Sequence, residues 1–375
     1  MATNEYLLTQ SLTNLTKGNM ILQITPNTGY EYPTSLSVIN GTIVSYDYTT
    51  GIAVVNGNSA TIISGKCKLP TPSLHATVSG LGSEDPSDVS FTVDSGFTVA
   101  GIGIEQTEFN GDTFIKIPTL YRKVNTVVDN QITSFTVSTV KDDNSYLPYP
   151  CFVKEDGVTI MPYILIGKYW NTSASSFVST WPGIPDTSST MNLDTARTRA
   201  AARGVGYQSF DWMMQRLWQD LIIIFKRRVD TNSGYAWSYD DMDIRWEGDG
   251  CWVDGWTQNS GSLVVSYCPT KYTTGATSST DGYTSISYSL PTTNGIEIQK
   301  LGYDPNNPFV NYPSAGIAGS NWDTYYCDAY YYRSGSYALF FDPAMGDVTC
   351  GAFECDGAYN PVYRFYVRLC YRPIA

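Results

Sequence analysis

A single histidine, His75, stands in 375 residues. A serine or cysteine triad needs a histidine base beside its nucleophile. His75 falls in a Pro- and Ser-rich segment that reads as a linker, so chemistry of that kind has no visible base. Cations are also few: 23 Lys and Arg face 35 Asp and Glu, and the longest basic run is Lys226-Arg227-Arg228. A polyphosphate partner needs a dense positive face. A net charge of −12 therefore argues against nucleic acid and against an acidic membrane surface, and favours solubility instead. Long apolar runs are missing too. The strongest, "LIIIF" at 221–225, is far short of the roughly 20 residues that span a bilayer. The opening "MATNEYLLTQSLTNL" has neither a basic nor a continuous apolar export region, so the chain is expected to be made in a cytoplasm without a signal peptide.

Eight cysteines are spread thinly, and the C-x4-C of Cys350 and Cys355 fits no zinc spacing. They read as buried thiols acting as small hydrophobes, with a disulfide framework as the sharper alternative. A Rossmann fingerprint and a phosphate loop are both lacking; "GLGSED" at 80–85 has the wrong pattern. No cofactor and no metal are expected. The acids of "YDDMDIRWEGDGCWVDGW" (239–256) match no EF-hand spacing. Asp240, Asp241, Asp243, Glu247, Asp249 and Asp254 therefore read as solvated loop acids, and the neighbouring tryptophans as pins for a loop-rich core.

What the chain has in abundance is Gly, Thr, Ser, Asn and Tyr, with only 15% charged residues, the composition of a turn-rich β protein. After an N-terminal segment (1–15), residues 16–66 alternate apolar and polar positions between Asn27-Thr28-Gly29, Asn40-Gly41, Thr50-Gly51 and Asn56-Gly57. This predicts four or five short strands in a small immunoglobulin-like module. Residues 67–95 read as a linker. A second domain, 96–375, starts with strands in "DTFIKIPTLYRKV" (112–124) and "SFTVSTV" (134–140). Two helices follow. "NLDTARTRAAARG" (192–204) has Asn192 as N-cap and Gly204 as its stop. "SFDWMMQRLWQDLIIIFKRR" (209–228) has Ser209 as cap and an apolar face of Phe210, Met214, Leu217, Leu221 and Ile224. A long loop-rich span then leads to a terminal strand in "YRFYVRLCYRP" (363–373). Strands, then two adjacent helices, then loops and a last strand predict an α+β class.

"FIKIPTLYRKV", "LPYPCFV…YILIGKYW", "TARTRAAARGVGYQSFDWMMQRLWQDLIII" and "YVRLCYRP" resemble bacteriophage tail and tail-fibre proteins that end in a C-type-lectin-like domain of the formylglycine-generating-enzyme type. The resemblance covers roughly residues 100–375. It implies two helices and long loops on that fold, and a non-enzymatic receptor-binding role at a tail tip. The implied partners are a host surface protein or glycan, other tail proteins and two further copies in a homotrimer; the implied location is the virion. Some proteins of this type are the variable proteins of diversity-generating retroelements, with a diversified Tyr-, Ser-, Asn- and Asp-rich face near the C-terminus. Residues 321–363 occupy the corresponding place. The oxidising cysteines of the formylglycine-generating enzymes have no match here, nor do the calcium motifs of the lectins. A tail-associated polysaccharide-degrading enzyme and a bacterial surface adhesin of the same fold are the competing readings.

The stretch that carries the binding expectation is "NWDTYYCDAYYYRSGSYALFF" (321–341). Trp322, Tyr325, Tyr326, Tyr330, Tyr331 and Tyr332 put six aromatics into eleven residues. A buried tyrosine needs a partner for its hydroxyl, and consecutive tyrosines on a strand face both sides. At least half must then leave a core. Tyrosine gives a large amphipathic contact at low rotamer cost. The predicted ligand-binding residues are these six with Asp328, Arg333, Ser336 and Tyr337, joined by Phe353, Asp356, Tyr359, Asn360 and Tyr363.

Overall fold

The computed structural model describes residues 5–13, 16–27, 30–68, 73–83, 86–169, 191–229, 251–259, 262–273, 282–289, 296–310, 312–318, 329–331, 336–341, 355–358 and 367–374. The chain divides into two compact units, Met1–Pro72 and Ser73–Ala375.

The first unit holds β1 (Glu5–Ser11), β2 (Gly18–Gln23), β3 (Ser37–Ile39), β4 (Thr42–Asp47), β5 (Ile52–Gly57) and β6 (Ile62–Lys68). They form two antiparallel three-stranded sheets, ordered β1-β6-β3 and β2-β5-β4. Alternation puts Met20, Leu22, Ala53 and Val55 of one sheet and Leu8, Val38 and Ile63 of the other into one core with Leu12 and Ile24. The turns fall where Asn and Gly stand. Asn40 (φ 60°) and Gly51 (φ 71°) adopt the left-handed backbone that these residue types tolerate best. β1 pairs with β6 along its whole length, so the unit begins inside the segment expected to precede it.

The second unit begins with β7 (His75–Ser79), β8 (Ser90–Val93), β9 (Glu105–Phe109), β10 (Asp112–Pro118), β11 (Tyr121–Val128), β12 (Gln131–Ser138), β13 (Leu147–Pro148) and β14 (Tyr163–Gly167). The helices α1 (Leu193–Ala202) and α2 (Trp212–Lys226) flank β15 (Tyr207–Ser209). Then come β16 (Cys251–Asn259), β17 (Ser262–Ser266), β18 (Tyr283–Ser289), β19 (Ile296–Gly302), β20 (Tyr312–Ala318), β21 (Ala329–Tyr331), β22 (Ser336–Phe341), β23 (Cys355–Ala358) and β24 (Leu369–Tyr371).

One sheet runs β15-β24-β14-β10-β9. A larger one runs β13-β11-β12-β19-β21-β23-β22-β16-β17-β18, with β20 on β19 and the β7-β8 hairpin on β12. Asn110-Gly111 (φ 51° and 84°) and Asp129-Asn130 (φ 50° and 60°) close the β9–β10 and β11–β12 hairpins. Both sites take positive φ at the two central residues, the geometry that matches strand twist.

These elements correct the expected architecture. The described residues carry 24 strands against two α-helices, a β-rich fold rather than an α+β chain ending in a C-type-lectin-like domain. The physical reason lies in the span after α2. Its Thr, Ser, Tyr and Val residues suit a pleated surface, and their short alternations, broken by Gly and Asn, build strands β16 to β23 where loops were expected. Likewise the expected linker supplies β7 and β8, which pair with each other and with β12 inside the second unit.

α2 is the central core element. Every residue from Trp212 to Ile224 is buried, polar ones included, so the helix has no wet face and is not the amphipathic element expected. Asp211 caps it, accepting from Met214 N at 2.9 Å, in place of the expected Ser209. Asn192 caps α1 as expected, accepting from Thr195 N at 2.9 Å. Asp220 of α2 gathers partners within the core. Asp220 accepts from Tyr149 Oη at 2.7 Å, lies 3.0 Å from Arg122 Nε, and pairs with Arg216 one turn back. Arg122 Nη1 also donates to Pro308 O at 2.9 Å. Burial, with the Asp220 charge beside it, pushes the Tyr149 phenol well up, so it stays a proton donor.

Candidate functional site

The predicted binding residues belong to segments the structure describes only in part. Tyr330 and Tyr331 lie in β21, Ser336 and Tyr337 in β22, and Asp356 in β23. Trp322, Tyr325, Tyr326, Asp328, Tyr332, Arg333, Phe353, Tyr359, Asn360 and Tyr363 fall outside the described residues, as do Asp240, Asp241, Asp243, Glu247 and Asp249. The register brings the described five together. β21 pairs parallel with β23, Tyr330 opposite Cys355 and Tyr331 opposite Asp356. β23 pairs antiparallel with β22, Asp356 opposite Phe340. β22 continues onto β16, Tyr337 opposite Gln258 and Ser336 opposite Asn259. Two sequence regions about two dozen residues apart thus become neighbouring strands, and the tyrosine-rich stretch, expected not to be a strand, contains two.

A second feature lies in the same unit, a cleft of about 610 Å³. Its walls are the end of α1 with Gly204, Val205 and Gly206, then β15, then Asp254 of β16. The segment from Pro269 to Tyr272, Glu155, Arg372 and Ile374 complete them. Local chemistry fixes these walls. Gly206 (φ 90°) packs its backbone against Arg372, whose N–H donates to Gly206 O at 2.9 Å; a side chain there would collide with the Arg372 carbonyl. Phe210 N donates to Arg368 O, and Asp254 N to Phe210 O, both at 3.0 Å, stitching β15 to its neighbours.

The floor of the cleft is charged, and its charges are engaged. Asp254 is wholly buried and accepts from Arg197 Nε at 2.8 Å, Arg197 Nη2 at 2.8 Å, Ser209 Oγ at 2.9 Å and Gly255 N at 2.7 Å. Nothing about it is a solvated loop acid; the sequence hides this because Arg197 lies 57 residues upstream. Arg372 Nε donates to Cys151 O at 3.0 Å and its Nη2 to Val153 O. Asp211 accepts from Gln208 Nε2 at 2.5 Å and Tyr272 Oη at 3.0 Å; burial pushes its carboxyl up, against the Arg372 charge and these hydrogen bonds, which pull it down. Burial likewise pushes the Tyr272 phenol well up, reinforced by Asp211 and Asp254.

Glu155 stands at the rim. Its two oxygens accept from Thr270 N at 3.0 Å and Thr270 Oγ1 at 2.8 Å, bonds that outweigh partial burial and hold its carboxyl below the usual range. Tyr207, also in the lining, is fixed at both ends. Its hydroxyl accepts from Asn110 Nδ2 at 2.8 Å, and its ring meets Tyr371 edge-on at 5.1 Å, with Phe109 behind at 4.6 Å from Tyr371. Tyr207 and Arg197 lie in the stretch that carries the family resemblance, but the sequence assigns neither a site role; only the fold brings them to one place.

His75 is also misplaced by the sequence. It opens β7, its Nε2 lies 2.6 Å from Asp142 Oδ2, and its backbone N–H donates to Asp94 Oδ2 at 2.7 Å. Cys67, Cys151, Cys268 and Cys370 are free thiols, and all but Cys268 are buried; burial pushes the Cys151 thiol well up, which keeps it protonated and inert. Among the described residues no group of His, Cys, Asp and Glu is arranged to hold a metal ion. Comparison with protein-family models and with curated proteins gives no match to this chain.

Proposed function

We propose that this protein is a non-enzymatic receptor-binding protein that contacts a cell-surface ligand through its Tyr-rich C-terminal strands. The observation that carries the reading is the register of β21, β23 and β22, which gathers Tyr330, Tyr331, Ser336, Tyr337 and Asp356 into one three-strand stretch of sheet. Residues of this kind, fixed on a sheet, give contact area and hydrogen bonding at little entropic cost. The buried carboxylate of the cleft, Asp254, supports binding over hydrolysis, since it is saturated by an arginine, a serine and a backbone N–H. A phage tail tip as the setting, retroelement diversification of 321–363 and the homotrimer rest on the sequence resemblance alone. Its fold expectation does not hold.

Replacing Tyr330, Tyr331 and Tyr332 by Ala tests the reading. Host-cell adsorption is lost while the thermal melt stays within about a degree or two, because contact residues carry affinity rather than core stability. A large fall in melting temperature with adsorption retained overturns it. Oligosaccharide released from host envelope by the intact protein establishes the degrading enzyme instead.

A further inference from the structure

We propose that the cleft between β15, the end of α1 and the segment Pro269–Tyr272 is a separate binding site, and that it takes a neutral sugar residue. Its volume, about 610 Å³, lies in the range of small-ligand sites. Its shape is preformed, because the hydrogen bonds from Arg372 N to Gly206 O, Thr270 to Glu155 and Asn110 to Tyr207 fix three of its walls. A ligand entering it orders little that is not already ordered.

Charge selects the class. Arg197 and Arg372 line the cleft with Asp254 and Glu155, two cations against two anions, which sum to zero. Arg197 is spent on Asp254 and on Asp194, and Arg372 places Nε and Nη2 on backbone carbonyls. A sulfate, phosphate or sialic acid carboxylate would have to draw Arg197 off Asp254, leaving that carboxylate buried and uncompensated, or draw Arg372 off the Cys151 and Val153 carbonyls that hold it. A neutral ligand disturbs none of them.

The remaining chemistry matches a sugar in two respects. The lining includes apolar groups, the Tyr207 ring, Val205, Pro269 and Ile374, that can cover the C–H face of a pyranose. It also includes planar polar groups. The Glu155 carboxylate, with about four acceptor sites, keeps capacity beyond its bonds to Thr270 and Cys268, and Gln208 keeps its amide oxygen beyond its bond to Asp211. Those acceptors suit hydroxyl donors. The lip is Val205, 73% exposed between Gly204 (φ 124°) and Gly206 (φ 90°).

The test is saturation-transfer NMR on the full chain with the methyl glycosides of glucose, galactose, mannose and N-acetylglucosamine, with sialic acid as the charged comparison. At least one neutral glycoside gives transfer to its ring C–H protons, and sialic acid neither gives it nor competes. Val205→Trp blocks the mouth from an exposed position, so it abolishes the signal with the melt unchanged. Thr270→Val, which removes one bond from Glu155, weakens the signal severalfold and serves as the second variant. The Tyr330, Tyr331 and Tyr332 alanine variant retains the signal, which separates this site from the strands proposed to adsorb to cells. Absence of transfer from all four neutral glycosides overturns the proposal. So does transfer that persists in both cleft variants, or stronger binding of sialic acid.

Discussion

At the scale of single residues, the decisive objects are buried charges that no motif announces. Asp220 shows this most clearly, holding Arg122, Arg216 and Tyr149 in the buried core. Asp220→Ala leaves two buried guanidinium groups without their anion, and removing one partner of a buried pair costs roughly 3–5 kcal/mol. Urea unfolding of the variant is expected to show a loss of that size, well beyond an ordinary surface change. Asp156 makes the opposite case on the surface. Hydrogen bonds from the Thr159 hydroxyl, Thr159 N and Val158 N hold its carboxyl down at about 2. A depressed carboxyl contributes stability above its unfolded value, near 3.9, and loses that contribution as pH falls through its folded one. The melting difference between the native chain and Asp156→Asn should therefore be constant above about pH 5 and shrink towards pH 2; a difference that does not change over that range contradicts the assignment.

At the scale of elements, the sequence is most reliable where a local rule is sufficient. Asn192 reads as a cap and is one; the Asn40-Gly41 and Thr50-Gly51 turns sit where they were expected, whereas Asn56-Gly57 ends strand β5 instead; β10, β11 and β12 follow from alternation. Local rules fail where partners are distant. Ser209 reads as the α2 cap, but its hydroxyl is drawn to Asp254, 45 residues on, and Asp211 caps instead. The binding strands are half legible: their tyrosines stand out, whereas the parallel pairing of β21 with β23 that joins them to Asp356 has no local signal. The cleft is not legible at all, because Glu155, Arg197, Tyr207 and Asp254 come from four separate elements or loops. The C-terminus of α2 offers a prediction at this scale. Arg227 ends the helix in the left-handed region (φ 55°) and is exposed. Glycine is the preferred residue there, and a non-glycine residue costs about 1 kcal/mol. Arg227→Gly should raise the midpoint of urea unfolding by a corresponding amount, and a lowered midpoint would show that the arginine side chain outweighs its backbone strain.

At the scale of the whole molecule, the two units differ in how they treat apolar surface. The second unit buries a large continuous core around α2. The first has a small core and leaves Leu7 65% exposed and Ile21 76% exposed, with Ile39 and Val44 more than half exposed as well. Leu7 and Ile39 lie on strands that flank β6 in one sheet, and Ile21 and Val44 on strands that flank β5 in the other. Scattered apolar residues are ordinary on a surface, but rows on the outer faces of a unit this small are what association between copies would cover. The acidic chain, at −12, opposes association through long-range repulsion. Association should then strengthen as salt screens that repulsion, while the apolar contribution is unaffected by screening. Light scattering at micromolar concentration is expected to give three times the 41.4 kDa chain mass, with the trimer favoured at higher salt. Leu7→Asp or Ile21→Asp, made singly, identifies the sheet involved. A carboxylate placed in an apolar interface loses solvation on association, whereas on a free face it costs almost nothing. The variant on the buried face turns monomeric, and its partner stays trimeric. A monomeric mass for the native chain at both low and high salt rules out self-association.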